Sequence, residues 1–194
     1  MIASGQHKIG RYDVRTLRSA AGVKARVILG RGQFVDVEAV TLEAALEGMR
    51  AALIERDSAR LKCRVGGIPT AEEYLEALFR LDARGEVAEH HTRMLRALYN
   101  APDRTLTATE LSRAAGWSSH SSANEKLGQF AKAWALEMGY TPSEEQRDGT
   151  PVWTFALAKD AGERSPTGEW CWKMRCELVD CLERWWGGAP RASS

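Results

Sequence analysis

The passage that most restricts what this chain can fold into runs from Thr107 to Gly139. Thr107-x-x-Glu110 has the spacing of a capping box, in which hydroxyl and carboxylate each satisfy a free N–H at the start of a helix. Leu111, Ala114 and Ala115 follow at helical spacing, and Gly116 can supply the left-handed backbone that stops a helix. The spacing predicts a short helix over 108–115. Trp117, Ser118, Ser119 and His120 make a tight connection. A second stripe then begins: Ala123, Leu127, Phe130, Ala131, Trp134 and Met138 keep to one face for more than four turns. Gly139 ends this longer helix, predicted over 121–138. Before the pair, His91, Met94, Leu95, Leu98 and Tyr99 mark a helix over 89–100, closed by Asn100-Ala-Pro-Asp because a residue before proline avoids helical backbone.

Two strands are expected next. Trp153, Phe155 and Leu157 alternate within 152–158, and Trp170, Trp172 and Met174 alternate within 169–174. The charged stretch 159–168 connects them. Leu178, Val179, Cys181, Leu182 and Trp185 then place a helix over 175–186, stopped by Gly187-Gly188. Helix, short helix, glycine turn, longer helix and two-stranded hairpin is the order of a winged helix-turn-helix, expected over 86–190. A helix fits the major groove of B-DNA, and the N–H groups at its start suit phosphate. The start of the longer helix is rich in hydroxyl and amide groups: Ser118, Ser119, His120, Ser121, Ser122 and Asn124. Serine can donate to phosphate or base edges, and asparagine can pair with adenine. Arg104, Arg113, Lys126 and Lys132 stand near in sequence and are candidates to neutralise phosphates, with Lys159 and Arg164 in the wing.

The first half reads as a small α+β unit over 1–85. Strands are expected over 8–17, 23–29 and 33–39, with Ala20, Ala21 and Gly22 turning the chain between the first two. Thr41 fits an N-cap for a helix to about residue 57 that carries Leu42, Ala45, Leu46, Met49, Ala52 and Leu53 on one stripe. Gly66, Gly67 and Pro69 mark a loop. Thr70-x-x-Glu73 starts another helix, with Tyr74, Leu75, Leu78 and Phe79 inward. The fold class is therefore α+β, a sheet-plus-helices unit followed by the helix-turn-helix domain. The last four residues read as a frayed tail.

Charge is distributed unevenly. Residues 1–31 hold seven lysines and arginines against one acid, whereas 32–57 hold six acids against two arginines. A basic edge beside an acidic helix follows, and charge runs of this kind usually solvate a face. The segment 89–139 is close to balanced, with six bases and five acids. Cys63, Cys171, Cys176 and Cys181 lack the C-x2-C knuckle of common zinc sites, so no metal or other cofactor is expected. The absence of an apolar signal core and of a membrane-length apolar run makes the cytoplasm the expected location. Catalysis finds little support. His90 and His91 are adjacent on a helix and should point apart, His7 and His120 stand alone, and Gly30-Arg-Gly32 lacks the rest of a nucleotide-binding pattern.

One stretch carries a resemblance. Met94-Leu-Arg-Ala-Leu-Tyr-Asn-Ala-Pro102, Leu106-Thr-Ala-Thr-Glu-Leu111, Ala114-Ala-Gly-Trp117, Ala123-Asn124 and Leu127-Gly128 resemble a bacterial and phage module. That module occurs alone and beside HNH nuclease domains in restriction-like endonucleases. The segment from Trp170 to Trp186 is similar to its closing strand and helix, and Leu127 stands where the module often has tyrosine. The resemblance covers roughly half the chain. It implies a DNA-binding role in conflict between phage and host. With no catalytic constellation among the residues, the expectation is a non-catalytic DNA-binding protein, phage or mobile-element encoded. The alternative expectation is a protein-binding inhibitor of a bacterial defence complex, of the anti-restriction or anti-CRISPR type.

Overall fold

The computed structural model describes residues 4–30, 32–117 and 120–187, with two compact units over 1–70 and 71–194. The class is mixed α+β: a four-stranded antiparallel sheet and its helix, then several helices with a smaller sheet.

In the first unit the strands β1 (Ser4–Ile9), β2 (Tyr12–Ser19), β3 (Gly22–Gly30) and β4 (Gln33–Ala39) form a meander in sequence order. Three strands were expected; the structure has four. Gly10 adopts a φ of 56°, so Gly10-Arg11 closes a two-residue hairpin with Ile9 opposite Tyr12. The run 8–17 therefore contains a turn that its alternation hides. Tyr12, Val14, Val23, Ala25, Val27 and Leu29 point to one face at period two and pack under α1 (Leu42–Cys63) through Ala45, Met49 and Leu53. Thr41 caps α1, its hydroxyl accepting from the Ala44 N–H at 3.2 Å. At Gly48 a Cβ would lie 2.9 Å from Val37 Cγ1, so only glycine lets α1 lie this close to β4. Arg11 and the Tyr12 hydroxyl both donate to Asp57 at 2.6 Å, tying the hairpin to α1 beyond the sheet contact. The helix runs six residues past the expected end.

The second unit starts with α2 (Ala71–Ala83), which packs on α5 (His120–Met138) and α6 (Cys176–Trp185). The boundary therefore lies at 70/71 instead of 85/86. The physical reason is the apolar face of α2, whose Tyr74, Ala77, Leu78 and Leu81 are buried among these helices. Trp134 on α5 is fully buried. Its indole N–H donates to the Tyr74 carbonyl at 3.0 Å, and the two rings meet edge to face at 5.8 Å. Arg80 on α2 donates to Glu137 on α5 through side chain and carbonyl, both at 2.8 Å. Between α2 and α5 come α3 (Glu89–Asn100), a 3₁₀ turn (Pro102–Arg104), β5 (Thr105–Thr107) and α4 (Ala108–Ala115).

The strand expected over 152–158 does not form. Trp153–Ala156 is a 3₁₀ turn against α5. Its carbonyls go to tertiary donors instead of a ladder: Phe155 accepts from Arg175 Nε at 2.7 Å, and Ala156 accepts from the Tyr74 hydroxyl. The strand begins where the connection was expected, as β6 (Ala158–Arg164), and pairs with β7 (Trp170–Met174). β5 adds itself to the other side of β7, with Thr105 opposite Lys173, and the sheet order is β5-β7-β6. Among the described residues no helix is long and apolar enough to cross a membrane.

Candidate nucleic-acid interface

Both ends of α4 are set by its own residues. Thr107 Oγ1 accepts from the Glu110 N–H at 3.2 Å, and Glu110 Oε2 accepts from the Thr107 N–H at 2.8 Å. Gly116, at φ 84°, lets its own N–H reach the Arg113 carbonyl and the Trp117 N–H reach the Ser112 carbonyl, at 3.0 and 2.9 Å. α5 begins at His120. The buried side of α5 is Leu127, Phe130, Ala131, Trp134, Ala135 and Met138. Its outer side begins at Asn124 and Glu125 and continues through Gln129 and Lys132 to Leu136, which is 54% exposed.

The sequence-derived candidates are placed unequally. Ser118 and Ser119 lie outside the described residues, as do the side chains of His120, Ser121 and Ser122, whose backbone belongs to the first turn of α5. Asn124, Lys126 and Lys132 are exposed along α5. Lys126 donates to Gln129 at 3.4 Å, and Gln129 donates to Glu125 at 2.9 Å, so amide, cation and carboxylate share the first described turns. The Lys132 ammonium sits 5.6 Å from the Trp153 ring centroid. Arg113 is exposed in the last turn of α4 and borders a groove lined by Ala97, Ala101, Pro102 and Leu106. Arg104 is engaged elsewhere: its guanidinium lies 5.6 Å from the Tyr99 ring and 4.0 Å from the Glu183 carboxylate on α6. Asp103 and Arg104 both take positive φ, 48° and 54°, in the turn that delivers β5.

Behind this face the structure assembles a ring cluster that sequence reasoning missed. His90 and His91 were expected to point apart, yet their ring centroids are 4.1 Å apart. Both sit in the first turn of α3, where His91 Nδ1 folds back to accept the Ala88 N–H at 3.2 Å. His91 stacks on Phe130 of α5, and His90 lies 5.0 Å from Trp117 in the turn after α4. Burial, then the His90 ring and the Lys126 cation, pull the His91 imidazole down to about 4, against an opposing contribution from the Glu86 backbone. Burial and Lys126 lower His90 as well. The pair is therefore a neutral packing element at neutral pH. The signal for it in the sequence was His91 standing on the apolar stripe of α3.

A second group was half legible. Trp170 and Trp172 alternate on β7, as their spacing requires, with centroids 6.1 Å apart. Trp172 meets Phe155 edge to face at 5.3 Å, and Arg164 covers the Trp170 ring at 4.4 Å. Among the described residues no group of three or more His, Cys, Asp and Glu side chains is arranged to hold a metal ion.

No family model matches this chain, and no curated protein and no solved structure matches it.

Proposed function

We propose that the second unit is a winged helix-turn-helix module that binds duplex DNA without catalysing a reaction, with α5 as the helix that enters the major groove. The observation that carries this reading is the order of elements and strands. A helix, a short strand, two helices joined by a glycine turn and a hairpin follow one another, and the first short strand pairs with the last. That arrangement buries one side of α5 and leaves Asn124, Gln129 and Lys132 on the other. Asparagine and glutamine amides suit adenine, and lysine suits phosphate or guanine. The β6–β7 hairpin, with Lys159 and Arg164, is the wing. Together with the likeness to the bacterial and phage module, this points to a cytoplasmic protein of phage or mobile-element origin that acts in phage–host conflict.

One observation favours a second reading. Glu125 stands on the outer face of α5, and the segment 89–139 is nearly neutral, so a protein partner such as a bacterial defence complex suits the same surface. Fluorescence anisotropy with random duplex at two salt concentrations separates them. Binding that weakens steeply with salt, and weakens further in the Asn124→Ala/Lys126→Ala double variant, is the expected result. Absence of binding at low salt, or an unaffected double variant, overturns the duplex reading.

A further inference from the structure

The β6–β7 hairpin leaves one tryptophan, Trp170, exposed. Trp170 is 37% exposed, and the Arg164 guanidinium lies 4.4 Å from its ring centroid. From Trp170 the rings continue through Trp172 to Phe155. Two residues before Phe155, Trp153 carries the Lys132 ammonium of α5 against its ring. A strip of three rings in contact, Trp170, Trp172 and Phe155, thus lies along the hairpin with Arg164 at its Trp170 end, and the Trp153–Lys132 pair stands two residues before Phe155. Among the described residues neither Arg164 nor Lys132 has a carboxylate partner. Nearby acids are otherwise occupied. Asp160 accepts the Gly162 N–H at 2.9 Å, and Glu169 is bound by the hydroxyls of Thr109 and Thr167. Only Glu163 is an exposed acid without such a bond on this hairpin.

Rings flanked by unpaired cations suit one ligand chemistry in particular. The π faces of unpaired bases stack on aromatic side chains whatever the sequence, while the cations meet the phosphates between them. Bases inside a duplex have no free face to offer. Resting on the duplex reading above for the neighbouring α5 face, we propose that the Phe155–Trp172–Trp170 strip, exposed at Trp170, is a stacking surface for unpaired bases. The preferred ligand of the chain is then a duplex that carries a single-stranded extension.

The test is an anisotropy titration of a labelled blunt duplex and of the same duplex with a thymidine overhang. The wild type is compared with Trp170→Ala, Trp170→Phe and Arg164→Ala. The overhang should tighten wild-type binding about tenfold, in line with the stacking of one or two bases. Trp170→Ala should abolish that gain, Trp170→Phe should keep most of it, and Arg164→Ala should reduce it. Blunt-duplex affinity should stay unchanged in the two Trp170 variants. Equal wild-type affinity for the two duplexes overturns the proposal, as does a Trp170→Ala variant that weakens both in proportion. A chain that binds only the overhang form sustains the strip and overturns the duplex reading; one that binds both forms equally does the reverse.

Discussion

The His91 ring lies flat on the Phe130 ring, with centroids 4.1 Å apart and planes 10° from parallel. This contact joins the first turn of α3 to the middle of the buried stripe of α5. It requires an uncharged imidazole, because Nδ1 is already an acceptor for the Ala88 N–H and the ring faces an apolar neighbour. The folded pKa, about 4, lies below the ordinary value of 6.5, so the unfolded chain binds the proton more readily. The stabilisation is complete above about pH 6.5 and is lost as pH falls from there toward about 4. Thermal melts across this window should show a falling midpoint. His91→Phe, which keeps the ring and removes the titrating group, should flatten the fall. An equally steep decline in that variant would show that the pair does not control it.

Trp134 is the largest side chain buried to completion. Its replacement by alanine should cost about 3–5 kcal/mol, the range for deleting a core aromatic. Trp134→Phe isolates a smaller effect, since it leaves the Tyr74 carbonyl without the indole donor as well as removing ring volume. Chemical denaturation followed by circular dichroism measures both, and the alanine variant should be the less stable.

The two ends of α4 make separable predictions. Thr107→Ala removes the N-cap and should cost about 1 kcal/mol, whereas Thr107→Ser should be nearly neutral. Gly116→Ala places a Cβ 3.7 Å from Arg93 Nη1, an ordinary contact, so its cost comes from the backbone. A left-handed φ of 84° in an alanine should cost about 1–2 kcal/mol. Urea midpoints of the three variants, taken against wild type, test this order. A Gly116→Ala midpoint equal to wild type would exclude the backbone as the reason for glycine here.

If Lys132 meets a phosphate, its removal should act on all duplex sequences alike. Lys132→Ala should weaken binding uniformly and lower the slope of log affinity against log salt by about 1. Asn124→Ala, by contrast, should change the preference among sequences more than the slope. Titrations over several salt concentrations, on two unrelated duplexes, distinguish the two patterns. A Lys132→Ala variant with an unaltered slope would remove that side chain from the contact.

Much of the architecture was legible because its causes are local. α4 has its capping threonine, its reciprocal glutamate and its stopping glycine within ten residues, so its bounds follow from the sequence alone. The stripes of α3, α5 and α6 repeat at 3.6 residues and survive into the structure for the same reason. The candidate contact face was legible to the same extent: Asn124, Lys126 and Lys132 are exposed because the apolar stripe decides which side of α5 is buried. Arg104 was not legible. Its place beside Tyr99 and Glu183 depends on α6, which lies some eighty residues along the chain.

The capped helix α4 and the buried stripe of α5 therefore owe their form to the sequence. Tertiary structure decided the hairpin behind them. Alternation in 152–158 matches a strand, but the Tyr74 hydroxyl and Arg175 guanidinium take the carbonyls that a ladder would need, and the pairing moves to Ala158–Arg164. β5 becomes a strand only because β7, remote in sequence, offers it an edge. Hydrogen-bond partners supplied from a distance leave no periodic mark on the residues that receive them.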